Sequence, residues 1–287
     1  MNFNTFYKIY YRHRIHKASL LLKLYLYLII PIKYLLNYFY FEKKINLDQF
    51  ANINKNLYDS SLGFLFEFFN SDKGKEFYDQ YQQPLKINRS IKIKAHNYAP
   101  YYEKYLDTFK YKKNVILELG SFYGNASAAF YFYFKDSKIF GGDINPDMFR
   151  YKSKRVNSFY INTSSEDSIK KNDILKNNNF DIVVEDASHM LKDQIISLFL
   201  LFPKINQGGI IFIEELDFPQ KKLDMRINQQ GPDLKDILMK ILNNEEFNSI
   251  YIDEYHKKYF LETYESIEIF NGNFNQIAII KKKIMKT

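Results

Sequence analysis

The run from Asn114 to Ser127, NVILELGSFYGNAS, constrains the chain more than any other. Val115 to Leu119 is a short apolar run that ends in a turn, and the residues after Gly124 have helical composition. A strand that breaks into a helix through two glycines opens a βαβ unit. Gly120 and Gly124 leave the backbone room to approach a ligand, and the helix N-terminus beyond them offers free N–H groups. Phe122 and Asn125 stand where the dinucleotide fingerprint G-x-G-x-x-G needs its second and third glycines, which disfavours a nicotinamide or flavin cofactor. What remains, Glu118-x-Gly120-x-x-x-Gly124, reads either as a looser nucleotide loop or as a plain tight turn.

Further strand patterns follow at Lys138 to Gly142, Ser158 to Ile161, Phe180 to Glu185, and Gly209 to Ile213, the last entered through a Gly208-Gly209 turn. An amphipathic helix is predicted over Leu191 to Phe202. Strand and helix alternate, which implies an α/β, doubly wound, Rossmann-like parallel sheet covered on both faces. Asp233 to Leu242 is helical in pattern. Ser266 to Phe270 and Gln276 to Lys281 then flank Asn271-Gly272-Asn273, a hairpin signal that puts an antiparallel pair at one edge.

At 287 residues the chain is long enough for one catalytic domain plus an extension. It has no cysteine, so disulfides, thiolate nucleophiles and cysteine-ligated zinc are excluded, and a cytoplasmic location is expected. The net charge is +8, and the first 46 residues hold eight basic residues against one acidic. The remainder is close to neutral, which argues against nucleic acid and for a basic arm meeting something anionic. Within that arm Ala18 to Phe41 is apolar and aromatic, but Lys23, Pro31, Lys33 and Asn37 interrupt it before it is long enough to span a bilayer. It reads as an interfacial helix on an anionic membrane, or as a helix pair packed on the catalytic domain or across a homo-oligomer interface. Leu47 to Asn70 looks helical, Ser71 to Gly74 (SDKG) forms a loop, and Lys75 to Ala95 is a polar stretch before His96 to Tyr102. Three segments follow: 1–46, the basic apolar arm; 47–112, a helical cap; and 113–287, the catalytic domain.

Asp143 ends the second strand about 20 positions after Gly120, where an acidic residue holds a ribose hydroxyl in nucleotide-binding α/β folds. It reads equally as the cap of the turn before Asn145-Pro146. Asp186 and His189 lie just beyond the fourth strand, and Glu214 and Glu215 just beyond the fifth. Ligands bind along that carboxyl edge, and three carboxylates there call for a hard divalent cation such as Mg²⁺. His189 can take a proton near pH 7. Taken singly, these residues also read as helix caps, a satisfied polar histidine and a solvated loop.

The ordered set VILELGSFYGNAS, GGDINP, FDIVVEDASH, QIISLFLLFP and GGIIFIEEL resembles the metal-dependent sugar O-methyltransferases of macrolide tailoring, the macrocin and mycinose enzymes, and their relatives in bacterial surface-glycan clusters. SDKG followed by H-x-Y-x-x-x-Y is similar to that family's cap signature. The resemblance implies a class I methyltransferase fold, S-adenosylmethionine as cofactor, Asp186, Glu214 and Glu215 as magnesium ligands, and His189 as general base. It implies a cofactor site at Glu118, Gly120, Ser121, Gly124 and Asp143, with Ser164 near the adenine. The acceptor would be a sugar or sugar nucleotide for a capsular polysaccharide. Other readings are a same-fold methyltransferase on a catechol or lipid, a metal-dependent hydroxylase, or a non-catalytic membrane-peripheral assembly subunit. The sequence departs from the family pattern at Glu215, where Asp is commoner, and in the insertion between SDKG and His96.

Overall fold

The computed structural model describes residues 2–11, 15, 18–42, 44–78 and 92–285. Its centre is a seven-stranded sheet, whose strands are here named β1 (Val115–Leu119), β2 (Lys138–Asp143), β3 (Val156–Tyr160), β4 (Phe180–Glu185), β5 (Ile205–Ile213), β6 (Tyr264–Asn271) and β7 (Gln276–Lys282). Their order is β6-β7-β5-β4-β1-β2-β3. Strands β1 to β5 run parallel, while β7 pairs antiparallel with both β5 and β6. The doubly wound sheet with its antiparallel edge hairpin is therefore the observed fold, and its strand order is that of class I methyltransferases.

Alternation along the strands sorts the core into two layers. Ile116, Ile182 and Phe212 face one side, under the helix Asn125–Tyr133 and the cap helices Leu62–Phe68 and Ala99–Leu106. Leu117, Val183 and Ile211 face the other, under Leu191–Leu201 and Leu234–Leu242. Tyr102 of the cap stacks on Phe212 with ring centroids 4.3 Å apart.

Several boundaries differ from the sequence reading. The strand expected from Gly209 begins at Ile205, with Gly208 held inside it at φ 73°. Leu47 to Asn70 is two α-helices, Leu47–Ile53 and Leu62–Phe68, with a 3₁₀ turn between. Asn46 caps the first and Ser61 the second, so side-chain acceptors override the apolar periodicity. Most of the polar stretch 75–95 lies outside the described residues, but its ends pair as Glu76–Tyr78 against Lys92–Lys94. The arm forms the helices Phe3–Tyr10 and Leu20–Glu42. Their inner sides pack Phe6, Tyr11, Leu26 and Ile30 on Tyr123 and Met148, and Thr5 Oγ1 donates to Asp147.

Register places the strand ends level. Leu119 pairs with Gly142 on β2 and with Glu185 on β4, so the chain leaves β1, β2 and β4 at one edge. There Gly120 adopts φ 80°, and a Cβ on it would come within 1.8 Å of the Asp186 carbonyl oxygen. Gly124, at φ 78°, would put its Cβ into the Phe149 ring. The position a Cβ would take at both glycines is thus filled by the protein's own atoms. Gly120→Ala combines a left-handed backbone with a backbone clash, and is expected to lower stability by about 3 kcal/mol or more in urea unfolding. A loss under about 1 kcal/mol would contradict this account of the crossing.

Candidate active site

One cavity of about 360 Å³ opens along the carboxyl edge, lined by Glu118, Gly120, Ser121 and Asp143 and also by Asp186, His189 and Glu215. Lys73 and His96 reach it from the cap. A smaller adjoining cavity of about 120 Å³ shares Gly120 and Asp143 and adds Ser164. Gly124 lines neither cavity.

On the glycine-loop side, Glu118 is buried and accepts a hydrogen bond from Ser127 Oγ at 2.5 Å. Burial pushes its carboxyl up to about 7, against the pull of Lys73. Asp143 accepts from the Phe122 amide at 2.9 Å and the Asn145 amide at 2.7 Å. It therefore does cap its turn, and it also lines both cavities. Among the described residues Ser121 Oγ is buried with no hydrogen-bond partner. Ser164 donates to Asp193 Oδ2, which also accepts from Ser188.

The acidic side divides in two. On the cap side, Lys73 Nζ lies 2.5 Å from Asp186 Oδ2 and 3.0 Å from Glu214 Oε1, with its side chain 1% exposed. Burial would discharge an ammonium there, but Asp186 and Glu214 raise it well above its ordinary range. Tyr102 donates to the same Glu214 oxygen at 2.5 Å. Glu214 is thus held by the cap and does not line the cavity, unlike the other two carboxylates expected as metal ligands. On the cavity side, Glu215 Oε2 lies 2.9 Å from His189 Nε2, and its Oε1 lies 3.3 Å from His96 Nε2 and accepts from Asn275 at 2.9 Å. Burial would raise Glu215, but His189, His96 and Asn275 outweigh it and hold the carboxyl at about 2. Burial would lower His189, but Glu215, then Asp186 and Glu185, hold the imidazole up at about 9. A histidine titrating near pH 7 is therefore not what this arrangement produces by itself, because three carboxylates surround the ring.

His189 and Glu215 also sit at φ 55° and 51°, and Phe122 on the glycine loop at 45°. Non-glycine residues in that region carry strain, and here all three line the cavity. Among the described residues no three His, Cys, Asp or Glu side chains are grouped as a metal shell. The donors that do face the cavity suit a single hard ion on Asp186 and Glu215 with water completing its shell, since Mg²⁺ commonly takes one or two carboxylates.

Sequence reasoning missed the roles of Lys73, Tyr102 and Asn275. SDKG and His96 to Tyr102 were visible as motifs, but nothing local says that the lysine turns inward or that the histidine meets Glu215.

Sheet order and site edge together define a class I methyltransferase fold. No protein-family model matches the chain. It is 27% identical over 135 residues to the 8-demethyl-8-alpha-L-rhamnosyl tetracenomycin-C 2'-O-methyltransferase of Streptomyces olivaceus, a match covering 44% of this chain and 35% of that protein. It resembles MycE methyltransferase from the mycinamycin biosynthetic pathway, solved in complex with Mg, SAH and mycinamycin VI, with TM-score 0.57 and 16% identity over 78% of this chain and 55% of that one. A second MycE crystal form with Mg and SAH gives TM-score 0.57 and 17% identity, covering 78% of this chain and 54% of that one. The chain thus matches about a third of the curated relative's length and about half of MycE's. The resemblance to macrocin- and mycinose-type sugar O-methyltransferases carried by the motifs is borne out in both sequence and fold.

Glu185, fully buried beside Asp186, provides a test of the electrostatics. Burial pushes its carboxyl from 4.5 up to about 7. The unfolded chain therefore loses this proton first, and the stability the protonated group contributes is lost as pH rises from 4.5 through about 7. Glu185→Gln cannot ionise, so its thermal and urea stability relative to wild type should grow across that window. It should level off above pH 7 at about 3 kcal/mol. A pH-independent difference would contradict the buried-carboxyl assignment.

Proposed function

We propose that the chain is a cytoplasmic, S-adenosylmethionine-dependent O-methyltransferase. Its acceptor would be a sugar hydroxyl on a hexose or heptose, carried on a nucleotide or destined for a capsular or other surface polysaccharide, with Mg²⁺ or a similar ion as second cofactor. The observation that carries this reading is the single cavity in which the glycine loop with Asp143 and the Asp186, His189 and Glu215 group share one space. Its volume lies within the range of small-molecule sites. The named activities of the rhamnosyl methyltransferase relative and of MycE support the same reaction class.

The cavity offers residues for both cofactors. Gly120, Ser121 and Asp143 would hold the nucleoside cofactor, with the unpartnered Ser121 hydroxyl as a ready donor or acceptor and Ser164 in the adjoining space. Asp186 and Glu215 would hold the ion. When bound, S-adenosylmethionine supplies a methyl group on a cationic sulfur and the ion supplies positive charge beside the acceptor oxygen. Methyl transfer requires the sugar hydroxyl to lose its proton as it attacks, and His189, on the cavity wall, would accept it. To do so it must first be neutral, and a cation that offsets Glu215 and Asp186 would bring the imidazole down. Burial raises the Asp186 carboxyl, and Lys73 opposes that shift and fixes the carboxylate in direction. Phe122 and Tyr123, also on the cavity wall, keep it partly apolar and limit water.

Calorimetry should show saturable binding of S-adenosylmethionine or S-adenosylhomocysteine, with Asp143→Ala weakening it by about 1–3 kcal/mol. Binding of NAD with no response to the sulfonium cofactor would overturn the proposal. Incubated with cofactor, Mg²⁺ and a panel of nucleotide-activated hexoses and heptoses, the protein should yield a sugar heavier by one methyl substitution. His189→Ala should keep cofactor affinity while turnover falls on the order of 10²- to 10⁴-fold. Full activity in that variant would remove His189 as the proton acceptor.

A further inference from the structure

The helix Leu20–Glu42 uses only one side for the fold. Leu26 and Ile30 are buried on the domain, whereas Leu20, Leu21, Leu24, Leu28, Leu35 and Leu36 are between 56% and 81% exposed. Lys23 and Lys33 lie half-buried, away from that exposed face. The outer face is thus uncharged and apolar along most of a helix about 35 Å long. Exposed apolar surface this continuous marks an interaction site rather than ordinary surface. Among the described residues no helix is long and apolar enough to cross a membrane.

Charge decides between occupants. The first 46 residues carry eight basic residues and one acidic, and Lys8 and Lys44 are exposed near the two ends of the helix pair. A second copy docked face to face would bring the exposed lysines Lys8 and Lys44 toward their counterparts, and the segment's one acidic residue could not balance them. An anionic lipid surface would pair them, at about 1 kcal/mol for each basic residue brought near it, while the leucines enter the acyl boundary.

We propose that the outer face of the helix Leu20–Glu42 docks on an anionic lipid bilayer. The pair beneath it is fastened to the candidate active site: Tyr123, which lines the cavity, packs in the same cluster as Phe6, Leu26 and Ile30. Arg150 lies over the Tyr123 ring at 3.5 Å, and Asn2 and Thr5 both donate to Asp147. Docking therefore holds the cavity close to the lipid surface rather than on a loose tether. This inference is independent of the reaction proposed above.

The test is flotation of the full chain with vesicles of phosphatidylcholine alone or mixed with phosphatidylglycerol, set beside the variant Leu21→Ser/Leu28→Ser/Leu35→Ser. All three positions are exposed, so the variant should keep the wild-type thermal midpoint and circular dichroism. Wild type should float with the anionic vesicles and remain behind with the neutral ones, and the variant should lose at least about tenfold in bound fraction. Wild type that stays in solution with anionic vesicles, or a variant that floats as well as wild type, would overturn the proposal. A wild-type dimer by sedimentation that becomes monomeric in the variant, with no vesicle binding by either, would assign the face to a second copy instead.

Discussion

The arrangement depends on one buried cation. Asp186 and Glu214 leave adjacent parallel strands at the same edge, and two carboxylates brought together out of water would repel unless something offset them. Lys73 does so from the 71–74 turn, with 1% of its side chain exposed. The carbonyls of Asp72, Lys73 and Gly74 accept from the amides of His96 to Ala99, so the turn that delivers the ammonium also positions the His96 ring. Removing either member of such a buried pair typically costs about 3–5 kcal/mol, because the partner is left charged in a poor solvent. The cap must therefore close on the sheet for the acidic edge to exist at all.

Glu215 is balanced by other partners. Glu215 carries an imidazole on each oxygen and Asn275 on one of them, while its own backbone sits at φ 51°. The result is a site with two characters. Glu214 and Tyr102 are held together by the cap, Asp186, Glu215 and His189 line the cavity, and Lys73 bridges the two groups. Against its burial, Glu215, Asp186 and Glu185 together hold the His189 imidazole up at about 9.

The strands were the most legible part of the sequence. Val115–Leu119 and Phe180–Glu185 coincide with their apolar runs, because a strand buried on both faces has no polar alternation to blur its ends. The helix Glu254–Thr263 carries no such signal: only Phe260 and Thr263 are buried, so its pattern is largely polar. At the site, Asp143, Asp186, His189 and Glu215 were readable because strand ends in this fold converge on one edge. What could not be read was that Glu214 is held by the cap, away from the cavity lining. Adjacent residues at a strand end look equivalent in sequence, yet one turns toward the cap and the other toward the cavity. The Lys73 contact spans 113 positions to Asp186, and no local rule reaches that far.

The central claim is that Asp186 and Glu215 bind a divalent ion and thereby free His189 to accept a proton. Titrating Mg²⁺ into the protein by calorimetry at pH 7.5, in buffers of different ionisation enthalpy, tests it directly. If the carboxylates beside His189 hold its proton until the ion offsets them, binding should release close to one proton per ion, and His189→Ala should bind the ion with that release abolished. Binding with no proton released by wild type, or the same release in His189→Ala, would contradict the account.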